Sequence, residues 1–155
     1  MTPAAARGGG FRLQARRAWP RPAAAAGWGV TLEKLLWIGA AGALGALARY
    51  GLAGVVQRAA GASFPWGTWA VNVAGSFLFG LVWSLAEERM LISGETRAIV
   101  LTGFMGAFTT FSTFMFETGT LAQGGQWDLV ALNVLGQNAV GLTFMFLGMA
   151  AGRLL

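Results

Sequence analysis

The sequence predicts an all-α membrane protein with four transmembrane helices, the third broken near its middle. Three observations lead there. The 155-residue chain is 55% hydrophobic and only 11% charged, where a soluble globular domain carries about 25% charged residues. Its apolar residues fall into four long runs divided by short polar or charged stretches, each near the ~20 residues a helix needs to cross a bilayer. Within the third run, Gly103–Phe116 crowds hydroxyls (Thr109, Thr110, Ser112, Thr113) among small residues (Gly103, Gly106, Ala107), with no Pro or charge to explain the interruption. Paired β-branched Thr residues and glycines do little to carry a helix straight through, and Thr can bond back to the carbonyl one turn earlier. Non-helical backbone survives in a bilayer only where protein buries it or where it lines a wet cavity. The break is therefore the expected functional site.

Composition removes several kinds of chemistry. There is no Cys and no His, which excludes disulfides, thiolate metal sites and Cys nucleophiles and removes the usual general base. Twenty-four glycines and seven tryptophans suit close-packed membrane helices with interfacial aromatics. The net charge of +5 is no nucleic-acid footprint, because five of the eleven basic residues precede Trp28 and the others are scattered. No nucleic-acid partner is expected.

The chain divides into an Arg/Ala-rich N-terminal extension, residues 1–30, and a transmembrane domain, residues 31–155. The extension holds Arg7, Arg12, Arg16, Arg17 and Arg21, three prolines and no acid, too little apolar material to fold. Three readings stand side by side: a disordered cytoplasmic tail, an Arg-rich targeting peptide, or residues upstream of a true start near Val30.

Span one covers about Leu35–Val56. Gly39, Gly42, Ala43, Gly45 and Ala46 set small residues at three- and four-residue spacing, which lets backbones approach closely. Arg49 is its anomaly, since a cation inside a span costs ~3 kcal/mol unless it snorkels or is paired. It either reaches the interface or faces a wet vestibule that attracts anions. Gln57–Gly67 is a polar turn, with Pro65 suited to the start of the next helix. Span two covers about Trp66–Ala86 and contains Asn72, which must be hydrogen-bonded if buried. Asn72 is either glue between helices or an amide donor facing a pathway. Glu87–Arg97 is the most charged loop.

Span three covers about Thr96–Gln123, ~42 Å as one rod at 1.5 Å per residue and longer than the ~30 Å hydrocarbon core. Phe104, Phe108, Phe111 and Phe114 recur at helical spacing, a pattern that packing alone explains, and Glu117 follows one turn later. Gly124–Asp128 forms a turn with Trp127 as interface anchor. Span four covers about Leu129–Ala151. Its polar members are Asn133, Gln137, Asn138 and Thr143, with Gly141, Gly148 and Gly152 on a close-packing face.

Three segments in order, GALGALARY (Gly42–Tyr50), PWGTWAVNVAGSFLFG (Pro65–Gly80) and TGFMGAFTTFSTFMFE (Thr102–Glu117), resemble the Fluc (CrcB-type) fluoride channel family. The resemblance runs over about Leu35–Gly152, and the third segment is the most specific. It implies an antiparallel, dual-topology homodimer of four-helix subunits in the plasma (inner) membrane, with two narrow pores exporting fluoride passively. It also implies a structural Na⁺ at the dimer centre, held by backbone carbonyls at Gly106 and Thr109. The implied pathway residues are Asn72, Phe111, Phe114, Ser112, Thr113, Glu117 and Arg49. The chemistry agrees. Fluoride is a strong acceptor that must exchange water for N–H and O–H donors, and a phenyl ring presents a positive edge to an anion. Na⁺ is a hard cation that takes oxygen ligands, which an unwound helix supplies.

The chain departs from the family pattern twice. Span four lacks the usual line of hydroxyls, leaving Thr143, with Asn138 and Gln137, to serve as that wall. The chain is then a weak conductor or the partner of a paralogous subunit. Dual insertion also calls for little Lys/Arg bias. Here Lys34, Arg89, Arg97, Arg153 and the five Arg of the extension fall on one side, against Arg58 on the other. The extension is accordingly expected to be absent from the functional protein; an N-terminal mass reading that begins at Met1 counts against this.

The competing functions fit less well. A four-helix multidrug or cation exchanger needs a carboxylate deep in span one, and Glu33 lies before it. An assembly factor explains the glycines but not the clustered hydroxyls. An enzyme lacks a base to partner Glu117.

Overall fold

The structure, a computed structural model, describes residues 31–155. The extension before them, with the readings attached to it, lies outside the described residues. Four helices long and apolar enough to cross a membrane follow one another: α1 Leu32–Ala60, α2 Trp66–Glu88, α3 Gly94–Gln123 and α4 Trp127–Leu154. Each begins or ends a few residues beyond its expected span. The charged loop shortens to residues 89–93, because Glu87 and Glu88 finish α2 and Gly94–Arg97 already belong to α3.

Local chemistry sets the ends. The Thr31 hydroxyl accepts from Lys34 N at 3.3 Å and caps α1, while Glu33 in the first turn and Arg58 in the last complement the helix dipole. Ser93 caps α3 by accepting from Thr96 N at 3.1 Å. Gln57, expected in a turn, is helical and organises the turn from its last residues. Its Nε2 donates to the Gly61 and Phe64 carbonyls at 2.5 and 2.9 Å, and its Oε1 accepts from Gly67 N at 2.9 Å.

Glycine decides how closely the helices approach. A Cβ at Gly80 would strike the Met145 carbonyl oxygen, and one at Gly148 would strike the Phe77 carbonyl oxygen. The α2–α4 seam is thus backbone against backbone, as small-residue packing in membranes allows. Gly45 and Gly103 play the same part where α1 meets α3, against the Phe104 and Ile38 carbonyls. At one end of the α2–α4 seam, Arg153 grips Glu88 through two bonds of 2.7 and 2.8 Å. Arg97 pairs with Glu87 and lies over the Trp83 ring. Along the outside, Trp37, Leu44, Leu47, Leu135 and Phe146 are exposed, as expected of helices facing lipid or another apolar surface.

Gly148→Val is expected to destabilise the bundle by about 3 kcal/mol or more, since a side chain there must push two backbones apart. Size-exclusion profiles in detergent after stepwise heating check this; a profile like that of the unaltered protein means the seam is looser than described.

Candidate functional site

The α3 backbone leaves the helix between Phe108 and Phe111. Thr109 (φ −81°, ψ 158°) and Thr110 (φ −147°, ψ 110°) are both extended, and a helix resumes over Phe111–Gln123. In a continuous helix Thr110 N would donate to the Gly106 carbonyl and Thr113 N to that of Thr109. Here Thr110 N donates to Asn72 Oδ1 at 2.9 Å, and Thr113 N to the Thr110 hydroxyl at 3.3 Å. The Gly106 and Thr109 carbonyls are thereby released from the helical ladder. Between them in sequence, the Ala107 carbonyl accepts from Arg49 Nε at 3.0 Å. Backbone oxygens without their helical donors are of the kind that suits a hard monovalent cation.

Asn72 brackets the break. Besides accepting from Thr110 N, it donates through Nδ2 to the Thr110 carbonyl at 3.1 Å and to Gln137 Oε1 at 2.6 Å. Gln137 Nε2 donates to Asn133 Oδ1 at 3.1 Å, Asn133 Nδ2 to the Thr118 hydroxyl at 2.9 Å, and that hydroxyl to the Phe114 carbonyl at 2.7 Å. One chain of hydrogen bonds therefore joins α2, α4 and the second half of α3. Asn133 is fully buried and Gln137 nearly so. A turn of π type over Leu132–Gly136 carries Asn133 into this position, one of the local widenings often found at functional sites.

Two open cavities flank the break, and Thr110 borders both. The larger, about 510 Å³, is lined by Asn72, Phe111, Phe114, Gln137, Asn138 and Gly141 among others. The smaller, about 380 Å³, is lined by Arg49, Tyr50, Thr68, Thr113 and Glu117 among others. The Phe111 and Phe114 rings lie 5.9 Å apart at 46°. Phe111 is 72% exposed and Phe114 only 5%, so one ring is free on the surface of the chain while its neighbour belongs to the core. Phe104 and Phe108 stack on each other at 5.6 Å away from these cavities, in the packing role the spacing allowed.

Thr110 Oγ donates to Thr113 Oγ at 2.8 Å. The Thr113 hydroxyl hydrogen has no acceptor among the described residues, and Thr113 lines the smaller cavity. Only the Nε of Arg49 is hydrogen-bonded among the described residues, which leaves its outer guanidinium N–H groups for the same space. Glu117 Oε1 accepts from Thr68 Oγ at 2.8 Å, and its Oε2 is buried without a partner among the described residues.

The structure alters three sequence expectations. Asn72 lines the larger cavity, but both of its N–H groups are engaged, so it is strut and donor together rather than a free donor. Thr143 is not brought to the site. It is exposed, its hydroxyl bonds back to the Ala139 carbonyl at 2.9 Å, and the α4 positions along the larger cavity are Gln137, Asn138, Gly141, Leu142 and Met145. Steps of four residues keep one helix face, and position 143 falls off it. Ser112 is exposed and borders neither cavity. The relay through Gln137 and Asn133 went unread in the sequence, although their i, i+4 spacing, continued by Gly141 and Met145, is its visible trace.

Comparison with known proteins bears on this geometry. A family profile described as CrcB-like protein, Camphor Resistance (CrcB), matches residues 36–149. A protein of Nitrosococcus oceani named Fluoride-specific ion channel FluC is 58% identical over 123 residues, which is 79% of this chain and 98% of that relative. Proteins of the same name from Nitratidesulfovibrio vulgaris (strain DSM 19637 / Miyazaki F) and Solidesulfovibrio magneticus are 54% identical over 123 residues and 53% over 124. They cover 79% and 80% of this chain and 99% of each relative.

Proposed function

Because the chain belongs to the CrcB-like family, and is a multi-pass membrane protein, we propose that it is a fluoride-specific passive ion channel, not an enzyme, that exports cytoplasmic fluoride. The observation that supports this most is the extended Thr109–Thr110 step bracketed by Asn72, with a cavity on either side. In this reading α3 is a transmembrane helix broken at its functional centre.

A broken helix presents two opposite ends in one place. Its first half ends in carbonyls and its second half starts in N–H groups, so the same break favours a cation on one side and an anion on the other. The Gly106 and Thr109 carbonyls are suited to hold Na⁺, which would supply fixed positive charge and tie the break down. One subunit offers few such oxygens, and a second, antiparallel copy would double them. The anion path uses the outer N–H groups of Arg49 and the Thr113 hydroxyl on one side of Thr110, and the Asn72 amide with the Phe111 and Phe114 ring edges on the other. Each donor replaces part of the hydration that fluoride gives up. A path whose few donors must replace an ion's hydration penalises larger, weaker acceptors such as chloride.

A second reading has its own support. With Thr143 off the cavity and Gly141 and Met145 on it, α4 supplies no hydroxyl line, which suits a subunit that conducts only beside a paralogous partner. Purified protein in liposomes separates the two. Fluoride efflux is expected from this chain alone, with chloride at least about a hundredfold slower. No fluoride efflux, or equal chloride efflux, removes the leading reading. Replacing Na⁺ by K⁺ on both sides is expected to abolish most efflux; undiminished efflux would remove Na⁺ from the proposal.

A further inference from the structure

Every link of the amide relay has its direction imposed from its ends. Thr110 offers Asn72 a backbone N–H, which only donates, and a backbone carbonyl, which only accepts. The Asn72 amide therefore has one orientation. Its second N–H needs an oxygen, which turns Gln137 Oε1 toward it at 2.6 Å and sends Gln137 Nε2 to Asn133. At the far end the Thr118 hydroxyl hydrogen is committed to the Phe114 carbonyl, so Thr118 accepts from Asn133. A buried chain running in one direction strengthens each of its members.

We propose that Gln137 is a positioning residue whose Oε1 is a placeholder acceptor, occupying the Asn72 N–H at the larger cavity until an anion takes it. The proposal rests on the fluoride-channel reading. The two Asn72–Thr110 bonds hold the backbone break and stay in place. Asn72 and Gln137 both line the larger cavity with Phe111 and Phe114, so the bond between them lies at its wall. With neither Gln137 nor an ion beside it, that Asn72 N–H loses its protein partner, which is unfavourable. A neutral carboxamide oxygen is a weaker acceptor than a halide ion, so an arriving ion displaces it. When the ion moves on, Gln137 takes the N–H back and eases the ion's release. Asn133, which does not line the cavity, keeps Gln137 within reach.

Efflux from liposomes containing the full chain, measured against internal fluoride concentration, tests this. Absence of efflux from the unaltered protein refutes the channel reading and this proposal with it; once efflux is present, the variants bear on Gln137 alone. Gln137→Met keeps the bulk and removes the acceptor. It is expected to lower the half-saturating fluoride concentration at least threefold and the maximal efflux severalfold, because the ion is held more tightly and leaves more slowly. Asn133→Ala is expected to shift half-saturation the same way by a smaller factor, and the double variant to match Gln137→Met alone. A merely structural role reduces maximal efflux and leaves half-saturation unmoved; that result overturns the proposal. So does a double variant whose shift is the product of the single ones. If Gln137→Met does not assemble, Asn133→Ala decides, and an unchanged half-saturation there overturns the proposal.

Discussion

Phe111→Ile is expected to cut fluoride efflux by about two orders of magnitude while the protein still folds and assembles. The two halves of that expectation have different origins. Phe111 is 72% exposed on the chain, so an aliphatic residue of similar bulk changes little in the packing of the subunit. The path, by contrast, loses the positive ring edge that stands beside Phe114 in the larger cavity. An ion already stripped of part of its water then meets a surface with nothing to offer it, and an added barrier of about 3 kcal/mol slows passage roughly hundredfold. Phe114→Ile is the contrasting case, because that ring is in the core and its loss costs stability as well. Efflux and the size-exclusion profile measured on the same preparation separate the two effects. Unchanged efflux through Phe111→Ile means the path does not pass this ring.

Asn72→Ala is expected to abolish efflux and to destabilise the protein by about 3 kcal/mol or more. The substitution strands three buried or half-buried groups at once: the Thr110 N–H, the Thr110 carbonyl and Gln137 Oε1. Each unmet group costs about 1–3 kcal/mol where water does not reach it. Without the bracket, nothing on α2 holds the extended Thr110, and the carbonyls opposite lose their fixed position. Asn72→Asp keeps the acceptor for Thr110 N and loses both donors, so it is expected to recover some stability without recovering efflux. Thermal unfolding in detergent together with liposome efflux checks this. Full efflux in Asn72→Ala would move the pathway elsewhere in the bundle.

Much of this arrangement is legible in the sequence, and what is not has identifiable causes. Apolar run length finds four membrane-length helices, because the bilayer leaves little choice of element. The Thr- and Gly-rich centre of the third run points to the place where Thr109 and Thr110 are extended, since residues that bond to nearby backbone compete with the helix. In sequence Arg49 suits either snorkelling or a vestibule, and the structure sets it on the lining of the smaller cavity. Its Nε also bonds the Ala107 carbonyl, and that partner lies 58 positions away, where no local pattern reveals it. Thr143 misled because a hydroxyl looks like an available donor in sequence, whereas on a helix it satisfies itself on the carbonyl four residues back. Gln137 and Asn133 were visible as polar residues on α4, but their joint direction follows from Thr110 across the bundle and exists only once the helices are packed.

The glycine seam between α2 and α4 has one further consequence. Backbones that touch without room for a methyl group on either side make a stiff plate, whereas the second half of α3 is tied to that plate mainly by side chains: Asn72 to Thr110, Thr68 to Glu117 and Asn133 to Thr118. Compliance is therefore expected in the second half of α3, beyond Thr109–Thr110, rather than in the plate. In the proposed channel the α2–α4 plate is the rigid wall and the second half of α3 the yielding one.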